Sequence, residues 1–274
     1  MSRPRLSVIV TSLNEEVNIQ DCLHSVRFGD EVLLVDSFST DRTVEIARAI
    51  PGVRIVQREY FGDAAQKNWA MDQVEGPWIL IVDADERIPK ELAEEIERLL
   101  AGGPRAEAYY IRRENVMVDR VIRHSGWSTD RVVRLLRKGA GRYPNRRVHA
   151  DIVTRGPVPT LRSRMLHLTF RSFAQYLPKL HLYADWAAAD AWRRGKRSGL
   201  TELILRPAWR FFRMYLLQAG FLDGRHGLTL CAIQAYSVFL KWARVWELER
   251  LEKAGRPLGL PTFDDTQETR EAVK

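Results

Sequence analysis

Short apolar runs alternate with helical patterns through the first hundred residues. Leu6–Val10, Glu31–Val35, Val53–Val56 and Trp78–Val82 read as strands bounded by polar or turn-forming residues. Between and after them, Glu15–Val26, Asp41–Ile50, Ala64–Gln73 and Pro89–Leu100 have helical spacing. Asn14 is the expected N-cap of the first helix and Ser39 or Thr40 that of the second. This rhythm predicts an α/β fold, a mostly parallel sheet flanked by helices. Ala108–Arg113 and Val132–Leu136 are further strand candidates. From Ser172 to about Glu252 the pattern is helical, punctuated by Pro207 and by Gly220-Phe221-Leu222-Asp223-Gly224. The expected organisation is an α/β domain over 1–165, a helical region over 166–254 and a loose tail over 255–274.

Ligands of such sheets sit beyond the carboxyl ends of the strands. The polar residues that follow each strand therefore matter most: Thr11 to Glu16, with Asn14 and Glu15 among them, Asp36 to Asp41, and Asp83-Ala84-Asp85-Glu86. Two carboxylates at i and i+2 at a strand end can point to one side. Such a pair suits a hard cation, Mg²⁺ or Mn²⁺, that keeps open positions for a diphosphate. The alternative is an acidic turn that caps the next helix. Neither G-x-x-x-x-G-K-[ST] nor G-x-G-x-x-G follows the first strand, so a nucleotide would be held by side chains and metal. Asp36 can accept from a base N–H or a ribose hydroxyl, or serve only as a turn former. Lys67 can meet a diphosphate, or lie exposed on a helix face.

Composition narrows the class. With 45% hydrophobic and 28% charged residues in 274, the chain is globular rather than disordered. Residues 1–100 carry 11 Lys/Arg against 19 Asp/Glu, whereas residues 101–160 carry 13 against 5 and residues 161–255 carry 16 against 7. The acidic front suits a metal site, and the basic remainder suits phosphate on a nucleotide, a lipid headgroup or a nucleic acid. Cys22 and Cys231 lie far apart, and the opening residues lead straight into a strand, so a reducing, cytoplasmic setting is expected. No run of about 18 apolar residues occurs, so no membrane-spanning helix is expected.

Four motifs together resemble a known family. Leu6–Glu16 with Ser12-Leu13-Asn14-Glu15-Glu16, Val35-Asp36-Ser37-Phe38-Ser39-Thr40-Asp41, Gln66-Lys67-Asn68 and Asp83-Ala84-Asp85-Glu86-Arg87 have the order and spacing of family 2 glycosyltransferases. These are sugar-nucleotide-dependent enzymes of the GT-A fold. The wording of the motifs is similar to the branch that adds glucose to the inner core of lipopolysaccharide. Trp127-Ser128-Thr129-Asp130, Arg134-Leu135, Val148-His149, Arg206-Pro207 and Gly220–Gly224 add to that likeness, which covers roughly residues 5–245. The resemblance implies that Asp36 contacts the nucleoside, Asp83 the ribose and diphosphate, and Asp85 the metal. Two positions depart from the pattern: Asp36-Ser37 stands where many members carry two acids, and Val148-His149-Ala150-Asp151 where the branch often has Val-His-Glu.

An inverting transfer needs a general base for the acceptor hydroxyl. Asp130, after Trp127 and ahead of a strand, is the first candidate, with a salt bridge to Arg131 or Arg134 as its plain alternative. His149 is the second, as base or extra metal ligand, and Asp151 can stand in for the missing glutamate. Trp127 can stack on a sugar or be a buried core residue. In the rear helices, Arg206, Arg210 and Arg213 form one stripe, and Gln234, Ser237, Lys241 and Arg244 another, each beside wide apolar faces. That pattern suits helices lying on an anionic membrane, or a helical subdomain packing on a neighbour. The expected function is transfer of a hexose, glucose foremost, from a UDP-sugar to a lipid-anchored glycan such as lipopolysaccharide core, at the inner face of the cytoplasmic membrane. No nucleic-acid partner is expected. A nucleotidyltransferase shares the sheet but opens with a Gly-rich basic loop, which Thr11–Glu16 is not. A non-enzymatic adaptor would explain the basic rear and leave Asp36, Asp83 and Asp85 unexplained.

Overall fold

The computed structural model describes residues 3–144 and 151–260. They fall into two compact units that divide between Arg171 and Ser172.

In the first unit the apolar runs become strands. Strand β1 (Leu6–Ser12), helix α1 (Ile19–Ser25), β2 (Glu31–Asp36), α2 (Thr43–Arg48), β3 (Val53–Gln57), α3 (Asp63–Gln73) and β4 (Trp78–Asp83) follow in sequence. The four strands pair in parallel in the order β3-β2-β1-β4. The three longest runs are apolar at nearly every position because both faces of the sheet are covered. Leu6, Val8 and Val10 join Ile19, Cys22 and Leu23 on one face, while Ile9, Leu33, Ile79 and Ile81 meet Ala70 and Met71 of α3 on the other.

After β4 come β5 (Glu86–Arg87), α4 (Lys90–Ala101), β6 (Ala108–Met117), β7 (Arg120–Val121), β8 (Arg131–Arg137), β9 (Gly141–Arg142), β10 (Val153–Thr154) and β11 (Thr160–Phe170). Leu92, Ile96 and Leu100 of α4, at four-residue spacing, enter the first core. Beyond β4 the sheet continues β8-β6-β11-β5. Here β8 is antiparallel to both β4 and β6, β11 runs parallel to β6, and β5 pairs antiparallel with β11. The front of the sheet is thus parallel, as the sequence predicts, and the rest is mixed.

The first helix begins four residues later than its pattern suggests. Asn14 is not its cap: it takes a left-handed conformation at φ 54°. Its Oδ1 accepts from the Thr40 N–H at 2.8 Å, fastening the loop after β1 to the loop after β2. Neither Ser39 nor Thr40 caps α2, whose N-cap position is Arg42; just ahead of it Asp41 Oδ1 accepts from the Thr43 N–H at 3.0 Å.

The second unit contains α5 (Phe173–Arg193), α6 (Arg206–Phe212) and α7 (Gly224–Lys253). Thr201–Leu205 and Arg213–Leu217 are π-helical turns on either side of α6. Pro207 does not break this segment; it lies where the π-helical turn Thr201–Leu205 passes into α6. Ala188, Ala191 and Trp192 of α5 pack with Trp242, Val245 and Leu248 of α7.

Candidate active site

Strand register builds the front of the site. Asp36 stands opposite Ser12 on one side and Gln57 on the other, and Thr11 stands opposite Asp83. The hydrogen bonds follow: Ser12 Oγ donates to Asp36 at 2.9 Å, and Thr11 Oγ1 to Asp83 at 3.0 Å. Asp36 is fully buried and also accepts from the Ser39 N–H, the Ser39 hydroxyl and Gln57 Nε2. Four donors thus occupy the carboxylate. In this structure it organises the loop after β2, which is its turn-forming reading. Glu15 belongs to the same loop contact: its N–H donates to Thr43 Oγ1 at 2.8 Å and its carboxylate accepts from Asn18 Nδ2 at 2.6 Å.

The acid triplet divides into unlike halves. Asp83 lies 2.8 Å from Lys67 Nζ and accepts from Arg134 Nη2. Lys67 is buried, not exposed on a helix face; it also pairs with Asp63 at 2.8 Å and lies under the Tyr143 ring. Burial alone would push the Asp83 carboxyl up, but Arg134 and then Lys67 hold it well below the usual carboxylate range. The same attraction holds Lys67 and Arg134 above their ordinary values against the cost of burial. Arg134 bridges onward to the fully buried Glu86 at 2.8 Å, and Glu86 accepts the Asp83 N–H at 2.9 Å. Arg87, also buried, donates to the carbonyls of Ala84 and Asn18, which fixes the turn.

Asp85 faces the other way. Its Oδ2 lies 3.6 Å from Nε2 of His167 on β11. Burial disfavours the imidazolium, but Asp85 and then Glu86 outweigh it, so the His167 pKa is raised. A divalent cation about 2.0–2.2 Å from each of two such atoms fits across this gap. With Asp83 engaged by Lys67 and Arg134, Asp85 and His167 are the pair that could hold a cation. Among the described residues no three His, Cys, Asp or Glu side chains gather into a group that could hold a metal ion, so Asp85 and His167 are a pair without a third protein ligand of these types. Sequence reasoning missed His167; reading Thr160–Phe170 as a strand beside Glu86-Arg87 would have found it.

Asp130 forms the far side. Arg113 Nε and Nη2 donate to its two oxygens at 2.9 and 3.1 Å, and Asn115 Nδ2 adds a bond at 3.0 Å. The ion-pair partner is therefore Arg113 of β6, not Arg131 or Arg134. Burial raises the Asp130 carboxyl, and Arg113 more than offsets that, leaving its pKa lowered. Trp127, half-buried in a 3₁₀ turn, accepts the Asp130 N–H through its carbonyl at 3.2 Å. Asp151 accepts the N–H groups of Val133 and Ile152, which ties it to the main chain next to Arg134. His149 lies outside the described residues.

In the second unit several of the striped cations have partners. Arg244 pairs with Asp185 at 2.7 Å and with Glu247, and Arg206 lies over the Trp242 ring and 3.4 Å from Glu202. Lys241 covers the same ring, and Arg210 donates to Gln234 at 3.3 Å. Arg213 is exposed. The α7 pair, Lys241 and Arg244, is thus drawn onto its own unit. The segment 200–217 instead carries exposed Ile204, Leu205, Trp209, Phe212, Leu216 and Leu217. No helix among the described residues is long and apolar enough to cross a membrane.

Comparison with known proteins identifies the family. The chain is 29% identical over 253 residues to the lipopolysaccharide core biosynthesis glycosyltransferase LpsC of Rhizobium meliloti, covering 90% of this chain and 94% of that one. It is 29% identical to an uncharacterised glycosyltransferase of Rickettsia bellii, covering 89% and 87%. Among solved structures, the mannosyltransferase PcManGT of Pyrobaculum calidifontis, in complex with GDP-Man and Mn²⁺, has 18% identity and a TM-score of 0.49, covering 100% of this chain and 81% of that one. TarS of S. aureus has 17% identity and a TM-score of 0.44, with 92% of each chain covered. These TM-scores are too low to carry site details from one protein to another. The family model for glycosyl transferase family 2 matches residues 7–166, the segment that holds Lys67, Asp83, Asp85, Asp130 and Arg134 and ends one residue before His167. The chain therefore belongs to glycosyl transferase family 2: it is a glycosyltransferase of GT-A fold that resembles the lipopolysaccharide-core branch.

Proposed function

We propose that this enzyme transfers a hexose, glucose foremost, from a UDP-sugar to a lipid-anchored glycan such as lipopolysaccharide core, with inversion and with Mg²⁺ or Mn²⁺. The reading rests on one observation above the others: Asp85 and His167 stand 3.6 Å apart next to an Asp83 already neutralised by Lys67 and Arg134. A cation held by Asp85 and His167 would supply Lewis-acid stabilisation of the leaving diphosphate. Lys67 and Arg134, paired with Asp83 two residues from Asp85, would keep the donor side of the site from becoming strongly negative as charge develops on the leaving diphosphate. Thr11, Asn14, Glu15 and Asp36 shape the loops that receive the nucleoside. Asp130 takes the acceptor proton; Arg113 keeps it ionised and so able to accept. Trp127, beside it, offers a ring face to the acceptor sugar. Family membership removes the nucleotidyltransferase and adaptor alternatives. The LpsC likeness supports a lipopolysaccharide-type acceptor.

Such an acceptor places the enzyme on the cytoplasmic face of the inner membrane. The apolar side chains of segment 200–217, with Arg206, Arg210 and Arg213 among them, form the contact surface. Arg206, Lys241 and Arg244 contribute less than Arg213, since they are engaged within the unit. The deciding experiment is a screen of UDP- and GDP-sugars for hydrolysis with Mn²⁺ or Mg²⁺ and with EDTA. Metal-dependent turnover of a UDP-hexose, lost in Asp85→Asn, is expected. Turnover that ignores EDTA, or a preference for GDP-sugars, would overturn the donor and metal assignments.

A further inference from the structure

Asn115 of β6 is 3% exposed and stands opposite His167 in the pairing of β6 with β11. Its side chain joins the two halves of the site. Nδ2 donates to Asp130 at 3.0 Å and reaches the Trp127 carbonyl at 3.4 Å. Oδ1 lies 2.6 Å from His167 Nδ1. The orientation of the amide follows from its neighbours. An ionised carboxylate and a carbonyl only accept hydrogen bonds, so the NH₂ group must face them. That leaves Oδ1 facing the imidazole, and an amide oxygen also only accepts. At 2.6 Å, Nδ1 must therefore carry the proton. Thr169 Oγ1, at 3.4 Å from Nδ1 and 3.5 Å from Oδ1, is too distant to displace this bond.

In the neutral ring, a proton on Nδ1 leaves a lone pair on Nε2, the atom that faces Asp85. Two electron-rich atoms then confront each other across 3.6 Å. Either a proton on Nε2 or a cation between them relieves the repulsion. With the opposite tautomer, Nε2–H would bond Asp85 directly and the pair would close without a metal.

We infer that Asn115 is a positioning residue that, braced by Asp130 and the Trp127 carbonyl, locks His167 in the Nδ1–H tautomer and so keeps Nε2 open for a divalent cation at Asp85. The inference rests on the metal reading proposed above. It also connects the two sides of the reaction, since the group that orients the metal-side histidine is held by the carboxylate on the acceptor side.

The test uses the full chain labelled with ¹⁵N-histidine, at a pH where the imidazole is neutral. Long-range ¹H–¹⁵N correlations, assigned with His167→Ala, should show the Nδ1–H form in wild type. Mn²⁺ binding, read from the electron paramagnetic resonance signal of the free ion, should weaken about 10–100-fold in Asn115→Leu, the usual effect of losing an outer partner of a metal-bound histidine. Asn115→Asp retains an acceptor for Nδ1–H while losing the donor to Asp130. It should keep the tautomer and bind Mn²⁺ more tightly than Asn115→Leu. An Nε2–H ring in wild type overturns the inference whether or not the variants fold. Weakened Mn²⁺ binding in His167→Ala with unchanged binding in Asn115→Leu overturns the inference and leaves the metal reading standing. Unchanged binding in His167→Ala removes the metal reading itself, and the inference with it.

Discussion

Arg134→Leu should destabilise the first unit by roughly 3 kcal/mol at neutral pH, the low end of the range for losing one member of a buried ion pair. The structure sets where in that range the value falls. Glu86 is fully buried and loses its 2.8 Å cationic partner, keeping the Asp83 N–H and, farther off, Arg113 Nη1 at 3.6 Å. Asp83 suffers less, because its side chain is 27% exposed and Lys67 remains at 2.8 Å. Urea denaturation gives the magnitude, and amide exchange on β4 and β8 shows where protection is lost. Replacing Glu86 as well is the sharper arm. Gln at 86 can still accept the Asp83 N–H while removing the unpaired charge, so Arg134→Leu/Glu86→Gln should regain about 1–2 kcal/mol over the single variant. The acid limb provides a third arm. Asp83 has a depressed pKa in the fold, so its pairing contributes fully above the ordinary Asp value of about 3.9 and is lost as pH falls towards the depressed one. Removing Arg134, the stronger of the two lowering partners, should shrink that acid-induced loss. A double variant no more stable than Arg134→Leu, or an unchanged acid limb, would refute the charge argument.

Three further outcomes are expected. Asp36→Ala should cost about 1–3 kcal/mol of stability and weaken UDP binding with it, because four donors lose their buried acceptor; calorimetry showing weakened UDP binding with full stability would instead make Asp36 a direct contact. Asp130→Asn should retain donor binding and lose transfer by roughly 10²-fold or more in a radiolabelled-sugar assay; normal transfer would direct the search for the base to 148–151. Wild type should sediment with anionic liposomes more than with neutral ones, each exposed Arg adding up to about 1 kcal/mol, and Arg206→Glu/Arg210→Glu/Arg213→Glu should stay in the supernatant while still hydrolysing the sugar nucleotide. Wild type remaining in the supernatant at low salt would dismiss the membrane surface.

The inner strands of the parallel half were legible because they are buried on both faces, which leaves apolar runs such as Ile79-Leu80-Ile81-Val82. The acids at its edge were legible because the strand ends point to them. Strand β11 was missed because Arg162, Arg164 and His167 interrupt its apolar residues, and His167 was missed with it. Arg113 and Asn115 were missed for a related reason: a charged or amide residue inside an exposed-looking strand has no local signature of the partner it meets across the sheet. The fate of Asp36 was also out of reach, since its four donors come from two strands and a loop and converge only once the register is set. Lys67 was read as exposed or phosphate-facing because helix position alone does not reveal that Asp83 and Tyr143 enclose it.

The pairing of Thr11 with Asp83 and of Ser12 with Asp36 has a consequence for engineering. One residue added inside β1 would exchange the facings of Thr11 and Ser12, and both bonds would be lost together with the packing of Ile9 and Val10. The chain should therefore accept foreign sequence very unevenly. The exposed turn at Gly102–Gly103, between α4 and β6, lies outside any strand pairing and can receive a tag or a reporter without shifting the register of the site strands. A scan of insertions along residues 5–120 would trace the register of the sheet as a map of lost activity, with silent stretches at the connections remote from the carboxylates.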